Sequence, residues 1–350
     1  MNNLENLIAK IEPLDQNAMQ KASERLDNLT KPIGSLGVLE DIVIKLAGIT
    51  GEIIPRVKNK MVIVMAGDHG VVEEGVSAAL QSVTPQMVYN FLNGGAGINV
   101  LARHAGAEVK VVDVGVADKS LSHPDLISKK IRLGTANMTK GPAMSREEAL
   151  QAINVGIEIA QEEIDKGIDL LATGEMGIGN TTPSSAILAA YSMVDVPSIV
   201  GTGVGLDEAG VHRKIKAVER ALEVNKPDPA DPIDVMAKVG GLEIAAMTGL
   251  FLGSASRKVP IVMDGFISGA AALIACKLAP RVKDYIIASH LSQEPGHKLV
   301  LEIMGLKPML RMNMRLGEGT GAALAFNIIE AATRIMSEMA TFEEAGVKMN

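Results

Sequence analysis

The chain has one cysteine and no tryptophan among its 350 residues. A lone thiol excludes an internal disulfide and a cysteine zinc cluster, and it fits a reducing cytoplasm. Cys276 lies in GAAALIACKLA among small apolar neighbours, the setting of a buried structural thiol rather than of a nucleophile. With only 3 Tyr and 5 Phe, a ring-shaped ligand has to be gripped by aliphatic side chains, by the 19 Met and by backbone. The same scarcity argues against a stacking platform for single strands. Positive charge is short as well: 34 Lys and Arg stand against 41 Asp and Glu, a formal charge of −7, and the basic clusters at Lys58–Lys60 and Lys129–Arg132 are brief. Nucleic acid is not an expected partner. The longest charge-free apolar stretches, Ile244 to Ser256 and Gly265 to Cys276, fall short of the roughly 20 residues that a bilayer span needs, so no membrane is expected either. MNNLENLIAKIEPLDQ carries acids and no basic leader, which excludes a signal peptide and leaves the cytoplasm as the expected location.

Several catalytic signatures are missing too. There is no Gly-Lys pair followed by a hydroxyl, so Walker-type nucleotide chemistry is unsupported. There is no HExxH and no close pair of histidines, so no metal site is expected. GTGVGLDEAG, Gly201 to Gly210, has the first two glycines of a dinucleotide fingerprint, but Glu208 stands where the third belongs. No adjacent pair of acids follows a strand, as pyrophosphorylated sugar donors with Mg²⁺ usually require.

What is present is a globular composition, 47% hydrophobic and 21% charged, long enough for one large α/β domain or two smaller ones. Short apolar or β-branched runs recur at Met61–Ala66, Glu108–Val114, Ile168–Thr173, Ser198–Gly201, Val259–Asp264 and Tyr285–Ser289, mostly with helix-patterned segments between them. This predicts an α/β fold with a parallel sheet of about six strands covered by helices on both faces. Sites in such folds form at the carboxyl ends of strands, where this chain places Asp68 and His69, Glu175, Thr202 and Gly203, Asp264 and Gly265, and His290 and Ser292. For His69, in a tight DHG turn, an orienting hydrogen bond is the favoured reading over proton transfer. The ends of the chain read as helices: Leu4, Leu7, Ile8 and Ile11 at helical spacing, a second helix from Asn17 to Leu29, a third after KPIGSLG, and a C-terminal apolar stripe of Leu324, Ile328, Ile335 and Met339. Residues 1–55 and 322–350 are therefore expected to form a small helical domain, and 56–321 a large α/β domain.

Two glycine loops concentrate the chemistry. In RMNMRLGEGTGAALAF, Arg311 to Phe326, Glu318 stands between glycines just before a helical segment. Glycine lets main chain approach a ligand, and a helix start offers unpaired N–H groups to an anion. In GEMGIGNTTP, Gly174 to Pro183, Glu175 follows an apolar run, and Asn180, Thr181 and Thr182 add hydrogen-bonding side chains. Either loop alone is also explained as a turn whose acid caps a helix. Together they suit a donor with one phosphate and a nitrogen leaving group, which needs a phosphate cradle, a stabilised oxocarbenium-like sugar and a base, and no metal.

LTKPIGSLGVLE (29–40), AGDHGVVEEGV (66–76), GEMGIGNTTP (174–183), KVGGLEIAAMTG (238–249), MDGFISGAA (263–271), SHLSQEPG (289–296) and RLGEGTGAALA (315–325) occur in that order. In these seven motifs, spread over nearly the whole chain, it resembles the nicotinate-nucleotide:dimethylbenzimidazole phosphoribosyltransferases, whose reaction serves cobalamin lower-ligand assembly. The resemblance implies a Rossmann-like sheet, a dimer, no cofactor, nicotinate mononucleotide as donor and a benzimidazole as acceptor. It implies Glu318 as general base and Glu175 near the ribose and its developing charge. It implies phosphate and ribose contacts from Gly177, Asn180, Thr181, Gly203, Gly205, Lys214, Gly265 and Ser292. For Lys214, in HRKIKAVER, the residues alone read as a solvated helix face.

One departure concerns the acceptor pocket. The family pattern supplies a Ser and a Gln after DHG, where an ungapped register puts Ala79 and Met87; Gln86 is adjacent, and Leu316 completes the expected pocket. A less polar pocket suits a simpler ring, so phenol or p-cresol, and a heterodimer with a paralogous subunit, stand beside the benzimidazole and the homodimer. The rivals are a partner-dependent or non-catalytic subunit, against which the presence of both Glu175 and Glu318 argues, and a dinucleotide-dependent oxidoreductase, which predicts dinucleotide binding.

Overall fold

The structure, a computed structural model, describes residues 2–348; Met1, Met349 and Asn350, at the ends of the expected helical domain, lie outside it. Along the chain run α1 (Asn2–Ile8), α2 (Gln16–Asp27), α3 (Val38–Thr50), β1 (Lys60–Gly67), α4 (Val83–Leu92), α5 (Gly97–His104), β2 (Ala107–Gly115), β3 (Leu126–Ser128), α6 (Arg146–Asp165), β4 (Leu170–Met176), α7 (Thr181–Tyr191), α8 (Glu208–Asn225), α9 (Pro232–Val239), α10 (Leu242–Ser256), β5 (Ile261–Met263), α11 (Phe266–Leu278), β6 (Ile286–Ala288), α12 (Pro295–Met304) and α13 (Thr320–Glu338). The strands form one parallel sheet in the order β3-β2-β1-β4-β5-β6. That order reverses direction between β1 and β4, the switch point at which open α/β sheets bind ligands.

Every residue of β1 is buried, as a strand covered on both faces requires. Its side chains alternate between two cores: Met61, Ile63 and Met65 enter one, Val62, Val64 and Ala66 the other. The first core is dominated by α10 and α11, the two charge-poor stretches too short for a bilayer; here they are interior helices. Where α6 crosses α10, a Cβ at Gly156 would lie 1.8 Å from the Ala246 carbonyl oxygen and one at Gly249 1.9 Å from that of Ile153, so glycine alone permits this approach. The second core joins α2, α3 and α13 to Val62, Val64, Leu170 and Ala172 of the sheet. An antiparallel bridge between Leu29 and Thr341 ties the two chain ends together, whereas α1 packs against α10 in the first core.

Three expectations are corrected. Ser198–Gly201 is no strand: Pro197 opens a short 3₁₀ turn, and Ile199 and Val200 are buried without pairing. The sixth strand is instead β3, a three-residue edge. On α13 the buried line is Ala322, Phe326, Ile329 and Met336, and the expected stripe of Leu324, Ile328, Ile335 and Met339 runs along its half-buried flank. The basic clusters are internally neutralised, Lys60 by Glu330, Lys129 by Glu158, Lys130 by Asp113 and Arg132 by Glu148. Cys276 is half-buried against Met304, and burial pushes its thiol up to about 12.

Candidate active site

A cavity of about 260 Å³ opens at the carboxyl ends of β4, β5 and β6, beside the segment that follows β1. Eleven of the fourteen expected site residues line it: Glu318, Glu175, Gly177, Asn180, Thr181, Gly203, Gly265, Ser292, Ala79, Met87 and Leu316. Lys214, Gly205 and Gln86 are not among its lining residues.

The two glutamates are held by backbone that only glycine permits. Gly317, Glu318 and Gly319 all have left-handed φ, +82°, +64° and +94°, an arrangement that costs a non-glycine residue energy and turns the Glu318 side chain into the cavity. A Cβ at Gly317 would lie 2.2 Å from Glu175 Oε1, and one at Gly174 2.4 Å from the Glu318 carbonyl oxygen. The loops are therefore in direct contact, and the Glu318 N–H donates to Glu175 Oε1 at 3.3 Å. Glu318 Oε2 accepts from the Ile98 N–H at 3.0 Å, at the start of α5. Burial pushes the Glu318 carboxyl up, the Ile98 N–H opposes this, and the nearby Asp264 charge adds to it. Glu175 is pushed further, to about 8, by burial first and by the Asp264 and Glu243 charges, against hydrogen bonds from Asn180 and Glu318.

Asp264, at the end of β5, accepts from the N–H groups of Gly319 at 3.2 Å, Gly321 at 2.8 Å and Ala322 at 3.1 Å, and so caps α13 and fixes the Glu318 turn. Burial raises its carboxyl, against His290 and these N–H donors. His290 lines the same wall, its Nδ1 3.9 Å from Asp264. The first turns of α7 and α11 also reach the cavity, through Asn180 and Thr181 and through Phe266, Ile267 and Ser268. Two helix N-termini at one cavity suit an anion.

Lys214 is fully buried, not solvated: its Nζ donates to Thr181 Oγ1 at 2.7 Å and to the Gly201 carbonyl at 3.1 Å, and burial pushes it down to about 8. It stands behind Thr181, as backing for the wall. The Gly203 N–H is already taken by Glu294 at 3.0 Å, and the Gly205 N–H by the Thr202 carbonyl at 3.1 Å, so neither is left for a phosphate. Arg315 Nη1 donates to the Gly203 carbonyl at 2.8 Å and lines the mouth, so the Gly203 loop is clamped from two sides. The side of the cavity that holds Ala79, Met87 and Leu316, expected at the acceptor, is apolar, with Val76, Val83, Met176 and Ile178 beside them. Gln86 is exposed on α4 and does not replace the missing amide. Ser77, two residues before Ala79, does put a hydroxyl at this wall.

Sequence reasoning placed Asp264 and His290 at strand ends without giving them a role, and left Ser77, Glu294, Arg315 and Glu243 out of the site. Asp264 and His290 stand at strand ends inside two of the seven motifs, a signal sufficient to find them. Glu243 was findable as the one charged residue of the otherwise apolar α10.

Two loop-held carboxylates beside two helix N-termini, at the switch point of the sheet, suit the transfer of a phosphorylated sugar. The chain belongs to the phosphoribosyltransferase family whose model matches residues 11–347. It is 56% identical over 340 residues to the nicotinate-nucleotide-dimethylbenzimidazole phosphoribosyltransferase of Geobacter sulfurreducens, covering 97% of each chain. To the enzyme of the same name from Geotalea uraniireducens it is 57% identical over 347 residues, covering 99% of each. The crystal structure of nicotinate-nucleotide-dimethylbenzimidazole phosphoribosyltransferase from Thermus thermophilus superposes with a TM-score of 0.91 at 47% identity, over 96% of this chain and all of that one.

Proposed function

We propose that this chain transfers the 5-phosphoribosyl group of nicotinate mononucleotide to 5,6-dimethylbenzimidazole, giving α-ribazole phosphate and nicotinate for the nucleotide loop of cobalamin. The relatives' shared name supports the substrates. The observation that carries the chemistry is the Glu318 carboxylate, pinned by Ile98 at the cavity wall between the apolar acceptor side and Glu175.

Glu318 takes the N–H proton from one ring nitrogen of the acceptor as the other, which carries the in-plane lone pair, attacks the anomeric carbon. The bond from that carbon to the pyridine nitrogen breaks, and its electron pair stays on nicotinate, whose ring loses its positive charge on leaving. Attack opposite the leaving group inverts the β-linked donor to an α-linked product. Glu175, as an anion, faces the positive charge that develops on the ribose. The phosphate is seated at the first turns of α7 and α11, by Gly177, Asn180, Thr181, Gly265 and Ser292, with Lys214 backing Thr181. The Gly203 to Gly205 loop closes the seat as a clamped wall rather than by its own N–H groups.

The apolar acceptor side, with Ser77 as its hydroxyl, takes a benzimidazole; phenol and p-cresol are the alternatives to be tested against it. Residues 1–55 and 322–350 act as a small helical domain beside 56–321, and the chain works in the cytoplasm as a dimer of two copies or with a paralogous subunit. No helix among the described residues is long and apolar enough to cross a membrane. The reading is tested by incubating the purified chain with nicotinate mononucleotide and each acceptor in turn, following nicotinate and ribotide by chromatography. Nicotinate release that depends on dimethylbenzimidazole is the expected result. Silence with every acceptor, restored by no similar subunit, contradicts it.

A further inference from the structure

The transfer chemistry gives no task to His290, although it lines the cavity and is only 3% exposed. It follows β6, where a parallel bridge to Leu310 fixes its backbone. Its ring is tightly placed. Nδ1 lies 3.1 Å from Ser289 Oγ and 3.9 Å from Asp264 Oδ1, and a Cβ at Gly321 would lie 2.0 Å from Nδ1, so only glycine in the first turn of α13 leaves room for the imidazole. A Cβ at Gly265 would lie 3.6 Å from His290 Cε1, 3.8 Å from its Nε2 and 3.7 Å from Ser292 Cβ. The ring thus adjoins both Gly265 and Ser292, where the phosphate is seated, and the helix start that follows Glu318, where the acceptor loses its proton. The ribose of a donor bound in this order spans the interval that His290 occupies.

Hydrogen bonding decides which ring nitrogen carries the proton. The single Ser289 hydroxyl proton goes to the carbonyls of Met263 at 2.7 Å and Asp264 at 3.2 Å. Were it turned to His290 instead, the hydroxyl oxygen would face the Met263 carbonyl oxygen at 2.7 Å with no proton between them. Ser289 Oγ therefore accepts from Nδ1–H, and in the neutral ring Nε2 holds the lone pair. Among the described residues Nε2 has no hydrogen-bond partner, and unlike Nε2 of the deeper His297 it is not sealed from the cavity. The neighbouring histidines are already paired: His69 Nε2 lies 2.8 Å from Glu243 Oε1, and His297 Nδ1 accepts from the Ser292 N–H at 2.9 Å. Neither of them lines the cavity.

A lone pair recognises a hydrogen-bond donor. Nicotinate mononucleotide with its phosphate ionised carries such groups only on the sugar, the 2′ and 3′ hydroxyls, because its pyridinium nitrogen bears no hydrogen and its carboxylate and phosphate only accept. The N–H of the acceptor ring goes to Glu318. We propose that His290 binds the donor sugar, its Nε2 accepting a hydrogen bond from a ribose hydroxyl, and so makes the site select ribose over deoxyribose. This rests on the transfer reading of the site. The contact holds the sugar between the phosphate seat and Glu318, and a donor that lacks the hydroxyl leaves the Nε2 lone pair without a partner.

The test is calorimetric titration of the full chain, without acceptor, with nicotinate mononucleotide and with its 2′-deoxy and 3′-deoxy analogues, for the parent and for His290→Asn and His290→Gln. His290→Asn keeps an amide where Nδ1 meets Ser289 and has nothing at the place of Nε2, whereas His290→Gln carries an amide oxygen towards that place. The parent is expected to bind nicotinate mononucleotide at least about fivefold more tightly than one of the two analogues. In His290→Asn that preference is expected to fall to within about twofold, and in His290→Gln to persist in part. A role in packing alone, or a contact to the phosphate, weakens all three donors alike and leaves the preference in place; that result in a folded His290→Asn overturns the proposal. A parent that binds all three equally overturns it whether or not the variants fold. The acceptor-dependent release of nicotinate tests the transfer reading separately, and a parent that releases none with any acceptor overturns that reading and the proposal with it.

Discussion

At the scale of single residues, the proposed transfer turns on Glu318. Its backbone is left-handed, its carboxylate is pinned by one N–H and lifted by burial, and it lines one cavity with a set of apolar side chains. Glu318→Gln keeps the shape and the Ile98 contact but cannot take a proton, so kcat should fall at least about a hundredfold with KM little changed. Steady-state kinetics with both substrates checks this, and near-normal kcat sinks the general-base role. The pH dependence follows from the sign of the shifts. Both glutamates have raised pKa values, and the proposed mechanism uses both as anions, so protonation on the acid side should remove activity. Turnover should climb as pH rises through about 8, the value for Glu175, rather than through the ordinary carboxylate range. A kcat profile that is flat from about pH 5 to about pH 9 would contradict the assignment. Lys214 gives a subtler outcome. Its ammonium supports Thr181 from behind, so Lys214→Met should raise KM for nicotinate mononucleotide about tenfold and lower kcat less. A calorimetric titration with the donor would read the same loss. The sequence made both glutamates legible because glycines flank them. It hid the state of Lys214, since a buried lysine on a charged helix has the same letters around it as a solvated one.

At the scale of elements, close approach of backbone decides what is possible. The crossing of α6 and α10 at Gly156 and Gly249 leaves no room for a methyl group. Gly156→Ala should destabilise the fold by about 3 kcal/mol, an overpacking cost at the upper end of the usual range, while the folded fraction keeps its kcat. Denaturant unfolding alongside active-site titration separates the two effects, and a loss of under about 0.5 kcal/mol would contradict the packing described. The long buried strands and the amphipathic end helices were legible from periodicity alone. β3 was not: three residues at a sheet edge carry no period, and LISKK reads as the start of a basic cluster. Ser198–Gly201 misled for the opposite reason. Its apolar residues are buried as a strand's would be, but Pro197 and the 3₁₀ turn take the backbone out of the ladder. The α13 stripe was off by about one position because its buried line includes alanines, which a search for large apolar residues passes over.

At the scale of the whole molecule, the strand order places the switch point between β1 and β4, and the β1, β4, β5 and β6 ends each bring part of one site. Each strand end is legible separately in the sequence. Their convergence is a property of the order 3-2-1-4-5-6, which periodicity does not reveal; the seven-motif resemblance implied a Rossmann-like sheet with its site at the strand ends, without the order. Convergence also explains why buried carboxylates accumulate here. The acceptor side is the least legible part. An ungapped register puts Ala79 and Met87 where polar contacts were expected, and only the fold brings Ser77 to the same wall. Product identity is therefore the measurement closest to the chemistry. The purified chain, given nicotinate mononucleotide and dimethylbenzimidazole and resolved by chromatography with mass detection, is predicted to yield nicotinate and α-ribazole phosphate in equal amounts. Nicotinate mononucleotide recovered intact, with benzimidazole, phenol or p-cresol and with a similar subunit added, would show that the chain does not transfer the phosphoribosyl group.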